Sequence, residues 1–162
     1  MVSEARARVV TPPRHLIAAT DFSPAGEAAI ERACIVALAS GARLTLAHVV
    51  PASLWEDVGT QLATLVGVET PTHDAMRAQS LAQLERRAGE LSGRFGLSCD
   101  ARVAEGRPAA VLAQVAADAQ ADLLVVGAHG MSAMRAARDI LVGTTAQQLL
   151  RVAPCPVLVV KV

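Results

Sequence analysis

Three glycines and two threonines have the types and the spacing of residues that hold a phosphate group. Gly127 and Gly130 follow the apolar run DLLVV, and Gly143 stands directly before Thr144 and Thr145. Glycines let backbone N–H groups come close to phosphate oxygens. A helix beginning at Gly143 would add free N–H groups, two hydroxyls and the positive end of its dipole. The alternatives are that the first two glycines only form a turn and that Thr144 only caps a helix.

A second group of polar residues, Thr20 and Asp21, ends another apolar run, HLIAA. The Asp21 carboxylate is suited to accept hydrogen bonds from ribose hydroxyls or to hold a metal ion. It is not suited to contact phosphates, because like charges repel. The alternative is that Asp21 only helps to cap the helix that Ser23 and Pro24 begin.

The elements that must position these residues alternate between strand and helix. Apolar runs predict strands at HLIAAT, RLTLAHVV, DLLVVG and PVLVVKV, and SCDARVA predicts a weaker strand, the third in the chain. Helices are predicted from Ser23 to Gly41, along an apolar stripe ending at Phe95, from Pro108 onward, and at TTAQQLLRVA. The inward positions of the second of these helices are Leu81, Leu84, Ala88, Leu91 and Phe95.

This order of elements predicts an α/β fold with a doubly wound, five-stranded parallel sheet in the order 3-2-1-4-5. The strands are apolar runs rather than alternating ones, as expected when helices cover both faces of a sheet. Ligands bind beyond the carboxyl ends of such strands, where the strand order reverses. The first and fourth strands are neighbours in this order, so we expect Asp21 and Gly127 to face one crevice from opposite sides.

Composition and charge exclude several classes of protein. The 162 residues are 52% hydrophobic, which predicts one globular domain, with residues 1–13 as a flexible arm and residues 14–162 as the domain. Fifteen basic and fifteen acidic residues leave no net charge, which argues against nucleic acids and acidic membranes as partners. The N-terminus lacks an apolar signal region and no apolar run spans a bilayer, so we expect a cytoplasmic protein.

The cysteines and the single tryptophan give weaker signals. Cys34, Cys99 and Cys155 form no CxxC pair, so neither a zinc site nor a disulfide framework is predicted, and buried reduced thiols are expected. Residues 51–73 are irregular in pattern. Trp55 in this segment is interpreted as an anchor of a loop on the core, with base stacking as the alternative.

Three segments of the sequence resemble the universal stress protein family, and together the resemblance covers residues 14–162. They are HLIAATDFSPAGEAAIERACIVALASGARLTLAHVV, ADLLVVGAHGMS and VGTTAQQLLRVAPCPVLVVKV. The resemblance implies a Rossmann-like fold, similar to that of adenine nucleotide alpha hydrolases, and commonly a homodimer. It also implies that members with the pattern of glycine, two residues, glycine, nine residues, glycine and serine or threonine bind ATP, whereas members without it do not.

Carried over onto this chain, the family pattern implies nucleotide contacts from three strand ends and the last helix. The implied residues are Ala19, Thr20, Asp21, Val49, Val126, Gly127, Gly130, Gly143 and Thr144, to which the helix start adds Thr145. In this interpretation Asp21 orients the ribose, Val49 contacts the base, and the glycines and threonines hold the phosphates.

The chain departs from the family pattern in the length of one connection. Twelve residues, Met131 to Val142, separate the second and third glycines instead of nine. A surface loop accepts three extra residues cheaply, because the cost of loop closure grows only logarithmically with length. Alternatively, the longer segment occupies the phosphate space or brings Arg135 or Arg138 toward it.

Three functions compete on these observations. The first is a cytoplasmic protein that binds ATP, with Mg²⁺, or a related adenine nucleotide as a regulatory ligand, with slow or no hydrolysis, because no nucleophile–base pair can be placed. The second is a dimeric interaction module in stress responses without a nucleotide; in either case the apolar terminal strand Val157–Val162 would form the dimer. The third, a nucleotide hydrolase, ranks lowest, because the chain has TDFSPAG where such enzymes need residues like SGG.

Overall fold

The computed structural model describes residues 11–51, 72–130 and 143–162. The strands of its sheet are β1 (His15–Ala19), β2 (Arg43–Pro51), β3 (Cys99–Gly106), β4 (Leu123–Gly127) and β5 (Val157–Val160). The helices in these ranges are α1 (Pro24–Ser40), α2 (His73–Phe95), α3 (Pro108–Asp118) and α4 (Thr144–Val152). All neighbouring strands are parallel and lie in the order β3-β2-β1-β4-β5, which confirms the predicted sheet.

Two apolar clusters lie on opposite faces of this sheet, because successive side chains of a strand point to opposite faces. In β1, Leu16 and Ala18 belong to the first cluster, whereas Ile17 and Ala19 belong to the second. Residues of α1 and α2 complete the first cluster, and residues of α3 and α4 complete the second. The fold is therefore the doubly wound arrangement that the apolar runs predict.

The ends of α1 agree with the signals in the sequence. Ser23 is the N-cap, and its Oγ accepts a hydrogen bond from the N–H of Gly26 at 3.1 Å. Pro24 is the first helical residue, where its missing N–H has no helical partner to lose. The helix ends at Gly41 with a φ of +69°, which glycine adopts without steric cost.

The second helix ends where predicted, at Phe95, but differs from its prediction in its start and in the orientation of one residue. It begins at His73, ahead of the predicted apolar stripe, because the Thr72 hydroxyl caps its first turn. The inward orientation predicted for Phe95 is wrong, since 41% of this residue is exposed. The chain turns away at Gly96, which has a φ of +65°, and Leu97 fills the core instead.

The prediction of buried thiols holds fully for Cys34 only, because Cys99 and Cys155 are half-buried, and all three are free cysteines. Burial raises the pKa of the Cys34 and Cys155 thiols. Burial, with a smaller effect of the Asp100 charge, raises the pKa of Cys99 to about 12. The thiolate, which is the reactive form, is therefore disfavoured at each of these positions.

Several sequence predictions concern residues outside the described ranges. They are residues 1–10 of the predicted arm, Trp55, and the segment from Met131 to Val142 with Arg135 and Arg138. Within the described ranges, no helix combines the length and the apolar character needed to cross a membrane.

Candidate functional site

A cavity of about 350 Å³ opens at the carboxyl ends of β1 and β4. These strands are neighbours, with Ala19 beside Val126, and Ala19 lies beside Ala47 of β2 on its other side. Within the sheet, β2 and β3 lie on one side of β1, whereas β4 and β5 lie on its other side. The cavity is thus at the point where the strand order reverses, which is where ligands bind in open parallel sheets.

The cavity is lined by all ten residues that the sequence predicts for the site. They are Ala19, Thr20, Asp21, Val49, Val126, Gly127, Gly130, Gly143, Thr144 and Thr145. The structure therefore brings together residues that are up to 126 positions apart in the chain. Their role in binding a nucleotide stays a prediction.

The described lining residues divide into an apolar and a polar part. The apolar side chains are those of Ala19, Ala47, Val49, Pro51, Pro108, Leu112, Val126, Ala128 and Ala146. The polar part consists of Thr20, Asp21, His48 and the start of α4, where Thr144 and Thr145 supply hydroxyl groups. Asp21 is the one carboxylate among the described lining residues, and these residues include no lysine or arginine.

Asp21 contacts both the start of α1 and the glycine loop after β4. Its Oδ1 accepts hydrogen bonds from the backbone N–H of Ser23 at 3.1 Å and from the Ser23 hydroxyl. Its Oδ2 lies against Gly130, where an added β-carbon would be 2.6 Å away. The interpretation of Asp21 as a helper of the helix cap is therefore correct, and the same side chain also lines the cavity.

The glycines after β4 are required by space rather than by backbone conformation, because neither is among the residues with a positive φ. A β-carbon on Gly127 would lie 2.8 Å from the carbonyl carbon and oxygen of Ala25, in the first turn of α1. This close approach alone explains why position 127 requires a glycine. A β-carbon on Gly130 would instead meet Asp21, inside the site.

The start of α4 differs from the prediction in one hydrogen bond. The N–H of Gly143 donates to the carbonyl oxygen of Ala128 at 2.5 Å. It is therefore not free to bind a phosphate, contrary to the prediction. Gly143 itself is the N-cap, and no side chain caps the helix, so the interpretation of Thr144 as a cap is wrong. Thr144 and Thr145 line the cavity, and the N–H groups of a first helical turn have no partner within their helix.

Sequence reasoning missed several residues that also line the cavity. These are Gly26, Ala47, His48, Pro51, Pro108, Leu112, Ala128 and Ala146. Most are small or apolar and carry no signal that separates them from core residues. His48 is the exception, because a histidine inside the apolar run RLTLAHVV calls for a partner. Its partner is the carbonyl oxygen of Thr20, which accepts a hydrogen bond from Nδ1 at 2.8 Å.

The described residues hold no group of three or more histidine, cysteine, aspartate or glutamate side chains that could bind a metal ion.

Comparison with known sequences gives a match that extends over nearly the whole chain. The family model described as "Universal stress protein family" matches residues 13–161. A curated protein of Thermus aquaticus, named as a universal stress protein in the QAH/OAS sulfhydrylase 3′ region, is 30% identical over 147 residues. The match covers 90% of this chain and 97% of that protein.

Solved structures with the same fold agree with this match. A universal stress protein from Lactobacillus plantarum has a TM-score of 0.74 at 23% identity, covering 93% of this chain and 99% of that one. A universal stress protein in complex with cAMP has a TM-score of 0.66 at 23% identity, covering 93% of this chain and 98% of that one. At these identities the likeness shows the fold alone.

Proposed function

Since the chain belongs to the universal stress protein family, we propose that it is a cytoplasmic protein that binds ATP or a related adenine nucleotide as a regulatory ligand and acts as a homodimer. In this proposal Asp21 orients the ribose and Val49 contacts the base. The glycine loop after β4 and the start of α4 hold the phosphates. We expect slow or no hydrolysis of the nucleotide.

The observation that carries the proposal is the division of the cavity into an apolar and a polar part. A purine base suits the part lined by Ala47, Val49 and Leu112, because its faces are apolar and these side chains bury it without needing hydrogen bonds. A phosphate suits the start of α4, where N–H groups without intrahelical partners and the helix dipole favour an anion. Asp21 stands among the polar lining residues, where a ribose hydroxyl would be its natural partner.

The charge of the lining bears on the number of phosphates. With one carboxylate and no lysine or arginine among the described lining residues, the positive potential comes from the start of α4. A triphosphate would bring several negative charges, which Mg²⁺ would neutralise, since this ion binds phosphate oxygens and keeps several of its waters. The solved family structure in complex with cAMP supports an adenine nucleotide as the class of ligand.

The test is to identify what the protein carries and what it binds. Ligand released by denaturation from freshly purified protein is identified by mass spectrometry, and we expect an adenine nucleotide at near-equal stoichiometry. Titration with AMP, cAMP, and ATP with Mg²⁺ should then raise the melting temperature. A ligand at 100 times its Kd stabilises the folded state by about 2.7 kcal/mol, or roughly 5 to 11 °C for a chain of this length.

A second candidate, the interaction module without a nucleotide, is favoured by the hydrogen bond between Gly143 and Ala128, which removes one N–H from the phosphate end. Purified protein without a nucleotide, together with no rise in melting temperature for any of the three ligands, would support this candidate and contradict the first.

The proposed homodimer rests on the exposed edge of β5. The N–H of Ala128 donates to the carbonyl of Val160 at 2.7 Å, so Val160 turns its backbone carbonyl toward β4. The backbone groups of Val159 then point away from the sheet, because they alternate in direction along a strand. An apolar edge strand with open backbone groups is a template for pairing with a second chain.

The dimer is tested by changing this edge without breaking the sheet. Val159→Pro removes an outward N–H and keeps the bonds to β4, and proline is accepted at such positions. We expect a dimer for the wild type and a folded monomer for this variant by light scattering and circular dichroism. Val159→Thr keeps the N–H and the branched shape and serves as the matched control. A folded Val159→Pro variant that remains dimeric would rule out this edge as the interface.

A further inference from the structure

We infer that His48 is a positioning residue, which holds the turn after β1 in the conformation that presents Asp21 to the cavity. The inference deepens the proposed function and rests on it for the identity of the ligand. Its structural content, the dependence of the turn on His48, can be measured without any ligand.

Ala47 and His48, two successive residues of β2, each form a hydrogen bond with this turn. The N–H of Thr20 donates to the carbonyl of Ala47 at 2.9 Å. His48 Nδ1 donates in return to the carbonyl of Thr20 at 2.8 Å, and the Nδ1 position carries the hydrogen because a carbonyl oxygen can only accept. Both backbone groups of Thr20 are thus bound to β2, and the second depends on a side chain.

His48 is among the residues that line the cavity, but its side chain lies on the face of the sheet opposite to Ala47 and Val49. Leu46 of β2 belongs to the first cluster, with α1 and α2, whereas Ala47 and Val49 belong to the second cluster, which supplies the apolar lining. Because side chains alternate along a strand, His48 points to the same face as Leu46. Phe22 also packs against the first cluster, and its ring centroid lies 4.6 Å from that of His48.

Phe22 has a backbone conformation that needs such support. Its φ is +62°, in the left-handed region that bulky residues rarely adopt. Residues persist there only where their surroundings determine the conformation. Two contacts do so for Phe22: its N–H donates to Oγ1 of Thr20 at 3.0 Å, and its ring packs on His48.

The conformation of Phe22 decides where Asp21 lies. The residues on either side of Phe22 are joined, since the N–H of Ser23 donates to Asp21 Oδ1. The left-handed conformation of Phe22 allows this hydrogen bond between Ser23 and Asp21 to form, and it directs Asp21 Oδ2 toward Gly130. Without the hydrogen bond and the imidazole ring of His48, Phe22 is free to return to a negative φ. That change would break the hydrogen bond between Ser23 and Asp21 and move the carboxylate out of the cavity.

The test compares variants that differ in the donor at this position. His48→Leu removes it, whereas His48→Asn places an amide nitrogen where Nδ1 stands. We expect amide hydrogen exchange at Phe22 and Ser23, followed by NMR in the ligand-free protein, to be about tenfold faster or more in His48→Leu. In His48→Asn it should stay within about threefold of the wild type.

The matched control is Leu46→Ala, which weakens the same face of the same strand without touching the turn. It should accelerate exchange at core amides more than at Phe22 and Ser23. Unchanged exchange at these two amides in His48→Leu would overturn the inference, and so would equal acceleration in His48→Asn or in the control. If His48→Leu does not fold, Phe22→Leu removes the ring contact and must accelerate exchange at Ser23, or the inference fails.

Binding gives the second measurement. By calorimetry with AMP, we expect His48→Leu to lose about tenfold or more in affinity and His48→Asn to restore it to within about threefold. Full affinity in His48→Leu would overturn the positioning role. A wild type that binds no adenine nucleotide would refute the proposed function, while the exchange measurement would still decide what His48 does to the turn.

Discussion

Asp21 and Gly130 touch across the crevice between β1 and β4, so closely that a β-carbon on the glycine would lie 2.6 Å from Asp21 Oδ2. The two residues come from different halves of the chain, and each follows the end of a strand. Asp21 cannot move away freely, because its other carboxylate oxygen accepts two hydrogen bonds from Ser23. This contact is therefore a point at which a single methyl group disturbs the site without entering the core.

Gly130→Ala should weaken nucleotide binding about tenfold or more, because displacement of a group that orients a ligand costs more than 1.4 kcal/mol. The unfolding free energy of the ligand-free protein should change little, since the clash involves a side chain at the cavity. Calorimetry with AMP and urea unfolding measure the two effects.

Gly93→Ala is the matched control, because a β-carbon at Gly93 in α2 would meet no atom within 4 Å. It should leave the affinity unchanged and stabilise the helix by roughly 0.5 to 1 kcal/mol. Wild-type affinity in Gly130→Ala would contradict the placement of Asp21 in the binding site.

Gly127→Ala should mainly lower the stability of the fold. Its β-carbon would lie 2.8 Å from the backbone of Ala25, which cannot shift without moving α1. We expect a loss of about 1 to 3 kcal/mol in the unfolding free energy, as for other overpacked positions. Urea unfolding measures it, and stability equal to that of the wild type would mean that α1 yields easily at this contact.

The sheet, Asp21 and the glycines at the cavity are predictable from the sequence because each depends on a local signal. Continuous apolar runs mark buried strands, and Ser23-Pro24 marks a helix start. The order of the strands then brings Asp21 and Gly130 together without any knowledge of side-chain contacts. Local signals are thus sufficient for the architecture and for these residues, whereas Ala19, Val49 and Val126 follow only from the family resemblance and eight further lining residues were missed.

What the sequence does not reveal depends on contacts between distant residues. Phe95 fits the helical stripe, yet the chain leaves the helix one residue later and the ring stays outside. The hydrogen bond from Gly143 to Ala128 joins residues 15 positions apart, across a segment of nonstandard length. His48 supports the site from the other face of the sheet, which no motif records.

Asp122 should contribute to stability in a way that is lost in acid. Its carboxylate accepts the backbone N–H groups of Arg14 at 2.8 Å and His15 at 3.0 Å, and these hydrogen bonds lower the pKa of Asp122. The unfolded chain therefore binds more protons in the acid range, so the contribution is present above about pH 4 and disappears as the pH falls through the folded-state pKa.

Asp122→Asn should lower the unfolding free energy at pH 7 by of order 0.5 kcal/mol, a small value because the side chain is exposed to solvent. The difference from the wild type should shrink on acidification to about pH 3. Urea unfolding at several pH values checks this, and a difference that grows in acid would contradict the role of the carboxylate.

The cysteine thiols should react slowly in the folded protein. Because burial raises the pKa of Cys99 to about 12, little thiolate is present at neutral pH. We expect a disulfide reagent to modify Cys99 and Cys34 at least about tenfold more slowly than a free thiol, and all three cysteines to react rapidly in concentrated urea. Cys99→Ser identifies the contribution of that position, and fast modification of the native protein would show that these thiols open to solvent.

Ser23→Ala should reduce both stability and binding, because this hydroxyl caps α1 and also donates to Asp21. The loss of the cap is worth about 1 kcal/mol of unfolding free energy, and the loss of one donor should let Asp21 rotate and weaken nucleotide affinity. Thr72→Ala removes the corresponding cap of α2, away from the cavity, and separates the two effects. It should cost a similar amount of stability and leave the affinity for AMP unchanged by calorimetry. Equal losses of affinity in the two variants would mean that binding follows overall stability rather than the orientation of Asp21.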